Sequence, residues 1–275
     1  MGKPTFHIKA EEVTDPSQAI LLMTAGGSFF SFALMNTSVK EIVEFGYYSV
    51  SNDNDNSWND FFAESEVLSD RYAHVAIAFN SPESILLPSA HFKIEESQLQ
   101  ADTIFGKNFQ TIVNSDLLSE WEMVNIYRIP ESLHAAVSRR FPSARQQNIN
   151  SLLLNNSSKV TQNSILVEFR TNEFSVIVFN ENVFHLAKSF SYSTPEDVLY
   201  YLLKICQEYK LSQQEVELVL AGLIERDSAI FRELYKYFIH LEFDELPLEF
   251  SIADALVEYP RHYFSTISKL AKCVL

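Results

Sequence analysis

The order of the predicted secondary-structure elements constrains the fold of this 275-residue chain more than any other feature. From Ser164 onward, three β-branched and aromatic runs predict a three-stranded meander: SILVEFR, EFSVIVFNE and NVFHLAKSFSY. A helix follows, with Thr194 as its cap, Pro195 in the first position and Asp197 completing a capping-box pattern. The next runs predict a strand (EVELVLAG), a helix capped by Asp227, a strand (IHLEFDE) and a closing helix (PRHYFSTISKLAKCVL). The pattern is therefore β-β-β-α-β-α-β-α.

The first half of the chain repeats this order. Its runs predict three strands (AILLMTA, SFFSFALMN, VKEIVEFGYYSV), a helix (SWNDFFAESEVLSDRY), a strand (HVAIAFN), a helix (EESQLQADTIFG), a strand (EMVNIYRIP) and a helix (ESLHAAVSRRF). The two meanders align without gaps at an offset of 145 residues, which pairs Ile20 with Ile165 and Phe29 with Phe174. Helices that alternate with the later strands indicate parallel pairing and a sheet covered on both faces.

We therefore expect an α/β protein with two tandem domains of one kind, each a mixed five-stranded sheet flanked by helices. The predicted domains are residues 1–142 and 143–275. The predicted hinge lies near FPSARQQNINSLLLNNSSK, where Pro142 and a cluster of Asn and Ser interrupt the apolar pattern.

Charge and composition exclude some classes of partner. The net charge is −15 and the isoelectric point is near 4.9, so the surface repels nucleic acid and anionic membranes. No apolar run approaches the roughly 20 residues of a membrane helix, and the first residues carry no signal-peptide core. Cys206 and Cys273 show neither metal-ligand spacing nor a disulfide framework. These features predict a cytoplasmic protein without membrane or nucleic-acid partners.

Tandem β-β-β-α-β-α-β-α domains resemble the ribonuclease H-like duplication of the actin, hexokinase and heat-shock-ATPase superfamily. The segments KSFSYSTPEDVLYYLLKICQEYKLSQQEVELVLAGLIERDS and YPRHYFSTISKLAKC resemble an uncharacterised bacterial family, a domain of unknown function with an actin-like ATPase fold. The resemblance covers most of the chain and is clearest from Ser164 to Cys273. It implies a fold and brings no established activity.

The resemblance also implies where ATP would bind. Active members of the superfamily carry a phosphate loop Asp-x-Gly-(Ser/Thr) in the first hairpin of each domain, and a glycine-rich turn against adenosine. The first hairpin here keeps Gly26, Gly27 and Ser28 but has no carboxylate. The second keeps Glu168 but has no glycine, and the adenosine turn would hold Gly222 alone. Each loop is incomplete, and a tight hairpin turn between buried strands explains Gly26 and Gly27 better than a phosphate cradle does.

Other candidate sites are weaker. The run DNDNSWNDFFAE places Asp53, Asp55, Ser57, Asn59 and Glu64 at calcium-loop positions, but Trp58 stands where the loop needs glycine. Of the acids that a ribonuclease-type cluster needs, the strands offer only Glu168 and Glu217, and Glu217 is expected to face outward. The seven histidines form no pairs at ligand spacing, and no G-x-S-x-G elbow occurs. No metal site and no catalytic residue are predicted.

Three classes of function remain. The first is a non-catalytic module that binds an as yet unidentified protein partner or assembles, with a degenerate nucleotide site and no cofactor. The second is an ATP binder or weak ATPase that uses Gly26, Gly27, Ser28, Glu168 and Gly222 with Mg²⁺. The third is a small-molecule enzyme whose motifs do not reveal its chemistry. The incomplete loops argue against phosphoryl transfer, because the missing carboxylate would position the metal.

Overall fold

The computed structural model describes residues 3–11, 15–50, 57–157 and 163–275. Its contacts divide the chain into two compact units. Unit 1 comprises residues 1–152, 248–258 and 267–275, and unit 2 comprises residues 153–247 and 259–266. Within the described ranges, no helix is both long enough and apolar enough to cross a membrane.

Unit 1 is built on a seven-stranded mixed sheet. The elements up to the boundary between the units are β1 (Lys3–Lys9), β2 (Ala19–Ala25), β3 (Phe29–Asn36), β4 (Glu41–Ser49), α1 (Ser57–Glu64), β5 (His74–Phe79), β6 (Ser84–Pro88), α2 (Ser97–Phe105), β7 (Thr111–Leu118), β8 (Met123–Pro130), α3 (Glu131–Arg140), β9 (Arg145–Asn148) and α4 (Ile149–Asn155). The sheet has the strand order β1-β4-β3-β2-β5-β9. All seven residues of β2 are buried, which explains why this strand reads as an unbroken apolar run.

The first sheet is larger than the predicted five strands. β1 pairs antiparallel with β4, and a two-residue strand, Ser251–Ile252, pairs parallel with the start of β4. Apolar side chains from the sheet, α1 and α3 form one core, and Trp58 at the start of α1 is almost fully buried in it. The alternation of apolar residues in β1 was too short to be recognised as a strand.

The segment EMVNIYRIP is a strand, but not of the predicted sheet. It forms β8, the centre of a separate three-stranded antiparallel sheet with the order β6-β8-β7. The place that the repeat assigns to it belongs to β9, which pairs parallel with β5 from Ala76 to Phe79. The sequence of β9, RQQN, carries no apolar pattern, so only its pairing identifies it as a strand.

Unit 2 has the predicted element order as far as its last strand. It contains β10 (Ser164–Phe169), β11 (Glu173–Asn180), β12 (Val183–Ser191), α5 (Pro195–Glu208), β13 (Glu217–Gly222), α6 (Ala229–Leu234) and β14 (His240–Phe243). The sheet has the order β12-β11-β10-β13-β14, with β10, β13 and β14 parallel. Thr194 caps α5 with the predicted capping box to Asp197. The cap of α6 is Ser228 instead of Asp227, and its Oγ accepts a hydrogen bond from the Phe231 amide at 3.1 Å.

The two sheets share their central topology. The order β4-β3-β2-β5-β9 in unit 1 corresponds to β12-β11-β10-β13-β14 in unit 2, with the same strand directions. Both sheets also carry a register shift at the same place, between Leu34 and Met35 on β3 and between Val178 and Phe179 on β11.

The strand-pairing registers show which residues of the two sheets are equivalent, and these pairs differ from those of the gap-free sequence alignment. The pair that closes the first hairpin is Ala25–Phe30, and the pair that closes the second is Phe169–Phe174, so the offset is 144 residues. In the third strand the offset is 142 residues, because Tyr48 lies opposite Phe30 and Phe190 lies opposite Phe174. The offset of 145 is therefore wrong by one residue in two strands, a slip that exchanges the two faces of a strand.

The end of the chain contains β15 (Ser251–Ile252) and α7 (Ser265–Ala271). Residues 267–275 pack in unit 1, although the sequence assigned them to the second domain. The predicted hinge region holds β9 and α4, and the boundary between the units falls after Leu152, within α4. The division into two domains between residues 142 and 143 stays a prediction.

Candidate functional site

The first hairpin turn, between β2 and β3, is tightly packed. The Gly26 amide donates to the Phe29 carbonyl at 3.0 Å, and the Asn80 amide donates to the Ala25 carbonyl at 2.7 Å. A Cβ atom on Gly26 would lie 2.5 Å from the Phe29 ring and 3.2 Å from the Asn80 Cβ. Gly26 is buried, Gly27 is exposed and Ser28 is half-buried. Glycine is therefore required at position 26 by the close approach of its neighbours.

The second hairpin turn, between β10 and β11, has the same backbone geometry and different chemistry. The Arg170 amide donates to the Glu173 carbonyl at 2.8 Å, as Gly26 does to Phe29. The Arg170 guanidinium forms an ion pair with Glu168 and donates to the Ser175 Oγ at 2.7 Å. Ser175 in turn shares a hydrogen bond of 2.7 Å with Ser189. Glu168, Arg170 and both serines are buried.

The hairpin registers match the two turns residue by residue. Thr24 occupies the place of Glu168, and Gly26 occupies the place of Arg170. Thr24 shares a buried hydrogen bond of 2.6 Å with Ser31, the counterpart of Ser175. One hairpin thus has glycine without the acid, and the other has the acid with arginine in place of glycine. In the second hairpin the carboxylate is neutralised by a side chain of its own turn.

The Gly222 turn follows the end of β13 and lies against β10. Gly222 has a φ of 75°, and a Cβ atom there would lie 2.2 Å from the Phe169 carbonyl oxygen. The Leu223 amide donates to that oxygen at 2.9 Å. Glycine is required here both by the left-handed backbone and by the contact with β10. Glu168 and Gly222 are therefore brought to the same end of adjacent strands.

A cavity of about 410 Å³ lies in unit 2, beyond the carboxyl ends of β13 and β14. It is lined by Glu225, Arg226, Asp227, Phe243, Glu245, Pro260 and His262. The Phe243 and His262 rings stack with centroids 4.1 Å apart, and the Arg226 guanidinium lies 5.0 Å from the Phe243 centroid. Crevices beyond the carboxyl ends of parallel strands are where α/β proteins bind ligands.

The cavity has a fixed polar wall. The His262 Nε2–H donates to the Ile224 carbonyl at 2.6 Å, and the Tyr263 hydroxyl donates to Glu225 at 2.7 Å. Burial lowers the pKa of His262, and the hydrogen bond to the Ile224 carbonyl opposes this shift only in part. The imidazole is therefore neutral near pH 7, and the cavity presents a neutral stacked ring, one arginine and three carboxylates.

A family model described as "Protein of unknown function (DUF3822)" matches residues 9–241. The chain belongs to this family. The family prediction made from the sequence is confirmed, and membership carries no activity with it. No protein of curated function matches the chain.

Solved structures define the fold. A protein from Bacteroides thetaiotaomicron with an actin-like ATPase fold and unknown function is 22% identical, with a TM-score of 0.76, over 94% of this chain and 99% of that chain. The PilM–PilN type IV pilus biogenesis complex gives 10% identity and a TM-score of 0.58 over 94% and 99% of the two chains. The ethanolamine utilization protein EutJ from Carboxydothermus hydrogenoformans is 6% identical, with a TM-score of 0.50, over 96% of this chain and 92% of that chain. This DUF3822 chain therefore has the actin-like ATPase fold.

The structure describes the other sequence candidates only in part. Asp53 and Asp55 of the calcium-loop pattern lie outside the described residues, and Trp58 is a core residue. Glu217 lies at the start of β13, and burial raises its pKa, with the nearby Glu242 adding to the shift. Within residues 3–11, 15–50, 57–157 and 163–275, no group of three or more His, Cys, Asp or Glu side chains is arranged to hold a metal ion.

Sequence reasoning missed a half-buried acid, Asp116 on β7. Its carboxylate accepts hydrogen bonds from the Asn148 amide at 2.6 Å and the Tyr127 hydroxyl at 3.0 Å. Desolvation raises the pKa of Asp116 to about 6, although these donors and Ser151 oppose the shift. The segment TIVNSDLL has no regular apolar–polar alternation, so no sequence signal marks it as a strand or singles out Asp116.

Proposed function

We propose that this chain is a non-catalytic protein-interaction or assembly module, built from two tandem ribonuclease H-like domains with a degenerate nucleotide site. The common strand order of the two sheets supports the duplication. The register shift at the same strand position in both sheets supports it further, because two independent meanders have no physical reason to place a bulge alike.

The observation that carries the proposal is the buried Glu168–Arg170 pair. A phosphate loop needs glycine at the place of Arg170 so that backbone amides can approach phosphate oxygens. It also needs a carboxylate free to position a metal ion, and Glu168 is engaged by arginine. The other hairpin has Thr24 where that carboxylate would stand. Neither hairpin offers a complete cradle.

A protein partner is supported by fold-level analogy. A chain of the PilM–PilN type IV pilus biogenesis complex shares the fold. This analogy shows what the fold can support, while the site decides function in each case. An acidic surface with a charge of −15 directs the choice of partner toward proteins and away from nucleic acids.

Isothermal titration with Mg-ATP tests the proposal. We expect no binding heat for the wild-type chain up to about 1 mM ATP, a limit that corresponds to roughly −4 kcal/mol. The matched variant carries Thr24→Asp and Arg170→Gly, which completes Asp-x-Gly in the first hairpin and Glu-x-Gly in the second. Circular dichroism must show that this variant is folded. Wild-type binding well below 1 mM, or phosphate release by the wild type, would refute the degenerate site.

A second candidate is nucleotide binding without hydrolysis, favoured by the cavity beside the Gly222 turn. Here the base would contact the stacked Phe243–His262 wall. The same titration distinguishes the two candidates, since binding that is abolished by Phe243→Ala and independent of Mg²⁺ would support this one.

A further inference from the structure

The outer edge of β12 is an open strand edge. β12 is nine residues long and pairs only with β11, and no strand in the described part of the chain continues the sheet beyond it. Its side chains are mostly exposed or half-buried, and Val183 is 56% exposed. A strand edge of this length presents a row of backbone amides and carbonyls that can pair with another strand.

The equivalent edge in unit 1 is covered. β4 occupies the place of β12, and its outer edge pairs antiparallel with β1. The pairing is regular from Phe6 opposite Tyr47 to Lys9 opposite Glu44. Glu44–Ser49 correspond to Leu186–Ser191 of β12, the part of the strand beyond the shared register shift. The shift therefore does not prevent an added strand, because β1 pairs beyond the same shift in unit 1.

The charges of the two edges are opposite. β4 carries Glu41 and Glu44 and no basic residue, and β1 brings His7 and Lys9 to Glu44 at 2.7 and 3.4 Å. β12 carries His185 and Lys188 and no acidic residue, although the whole chain has a charge of −15. Charges more than about 8 Å apart are largely screened by salt. The charge of the side chains on β12 itself, and not the net charge of the chain, therefore decides which added strand is attracted to this edge.

We propose that Leu186–Ser191 accepts an extended acidic segment of a partner protein, added antiparallel as β1 is added to β4. This inference rests on the proposed function, since it names the kind of partner that the module binds. The residue of that segment in the place of His7 lies opposite Lys188, where a carboxylate is attracted by the lysine charge across the strands. Backbone hydrogen bonds provide the attachment, and alternate side chains provide the selectivity.

A second copy of the chain fits this edge less well. Two β12 strands would bring two copies of His185 and Lys188 together, and each copy would add its own charge of −15. Like charges on paired strands are destabilising. Light scattering coupled to size-exclusion chromatography measures this alternative directly, and a dimer that protects residues 186–191 from hydrogen–deuterium exchange would overturn the partner-segment proposal.

Synthetic peptides test the edge. The probe is a blocked seven-residue peptide of alternating Val and Glu, matched in length to β1, and its control replaces each Glu with Lys. By fluorescence anisotropy we expect the Glu peptide to bind about 5- to 10-fold more tightly than the Lys peptide. Lys188→Glu is expected to reverse this order, whereas Lys204→Glu on the exposed face of α5 is expected to preserve it.

Hydrogen–deuterium exchange locates the peptide, and we expect new protection at residues 186–191. The proposal fails if neither peptide binds at about 1 mM, if both bind equally, or if protection arises elsewhere. The ATP titration probes the hairpin turns and not this edge. A failure of the strand-addition proposal is therefore separable from a failure of the proposed function.

Discussion

Glu168 and Arg170 illustrate how a single residue changes the chemistry of a turn. Both side chains are buried, and the guanidinium is the counter-charge of the carboxylate. Arg170→Met leaves that carboxylate buried without its ion pair, and we expect a loss of about 3–5 kcal/mol in the free energy of unfolding. The measurement is urea denaturation followed by circular dichroism.

The double variant Glu168→Gln with Arg170→Met is the matched control. Removing both charges avoids the uncompensated carboxylate, so most of the lost stability is expected to return. Equal losses in the single and double variants would show that Arg170 stabilises unit 2 through its stem packing or its bond to Ser175 rather than through the charge pair.

Gly222 is a second residue whose identity is dictated by its neighbours. Gly222→Ala combines a left-handed backbone with a Cβ atom 2.2 Å from the Phe169 carbonyl oxygen, so β10 and β13 must separate. We expect a loss of more than about 2 kcal/mol in unfolding free energy. Gly106→Ala is the control, because Gly106 also has a positive φ of 82° but no atom within 4 Å of the added Cβ. Equal losses at both glycines would attribute the whole effect to the backbone angle.

At the scale of elements, Asp116 joins β7 to the start of α4. It accepts hydrogen bonds from the Asn148 amide and the Tyr127 hydroxyl. Its negative charge also contributes to raising the pKa of the Cys273 thiol. Because desolvation raises its pKa from 3.8 to about 6, the folded state binds a proton that the unfolded state releases. The stabilisation is complete below about pH 4 and is lost as the pH rises through 6.

Asp116→Asn is expected to remove this dependence. The wild-type free energy of unfolding should fall by about 2 kcal/mol between pH 4 and pH 6 relative to the variant. Chemical denaturation at a series of pH values measures the slope. Asp60→Asn, at an exposed position in the first turn of α1, should leave the slope of the wild type unchanged. If Asp116→Asn kept the wild-type dependence of the unfolding free energy on pH, a group other than Asp116 would be responsible for it.

At the scale of the whole molecule, the charge of −15 governs behaviour in solution. The net charge approaches zero near pH 4.9, and repulsion between molecules vanishes there. We expect a solubility minimum within about half a pH unit of this value, measured by static light scattering. This solubility minimum falls in the pH range where protonation of Asp116 stabilises the fold. Precipitation without loss of the helical circular dichroism signal would therefore show that low net charge, and not unfolding, causes the minimum.

The sequence by itself determined the elements that depend on neighbouring residues. The meander of unit 2 and the helices α2, α3 and α5 follow from local periodicity. The start of α5 also follows from the capping box of Thr194 and Asp197, which lie three residues apart. The fold followed from the resemblance of the element order to the actin-like superfamily, and the family followed from the resemblance of two segments in the second half of the chain. The incomplete phosphate loops could be recognised residue by residue.

Only the tertiary structure decided the rest. It placed β9 instead of β8 beside β5, added β1 to the edge of β4, and assigned residues 267–275 to unit 1. It also fixed the registers of the two hairpins. These registers show that Thr24 in the first hairpin corresponds to Glu168 in the second, and that Gly26 corresponds to Arg170. Pairing between strands distant in sequence depends on hydrogen bonds and packing that no local pattern records, and a slip of one residue exchanges the two faces of a strand.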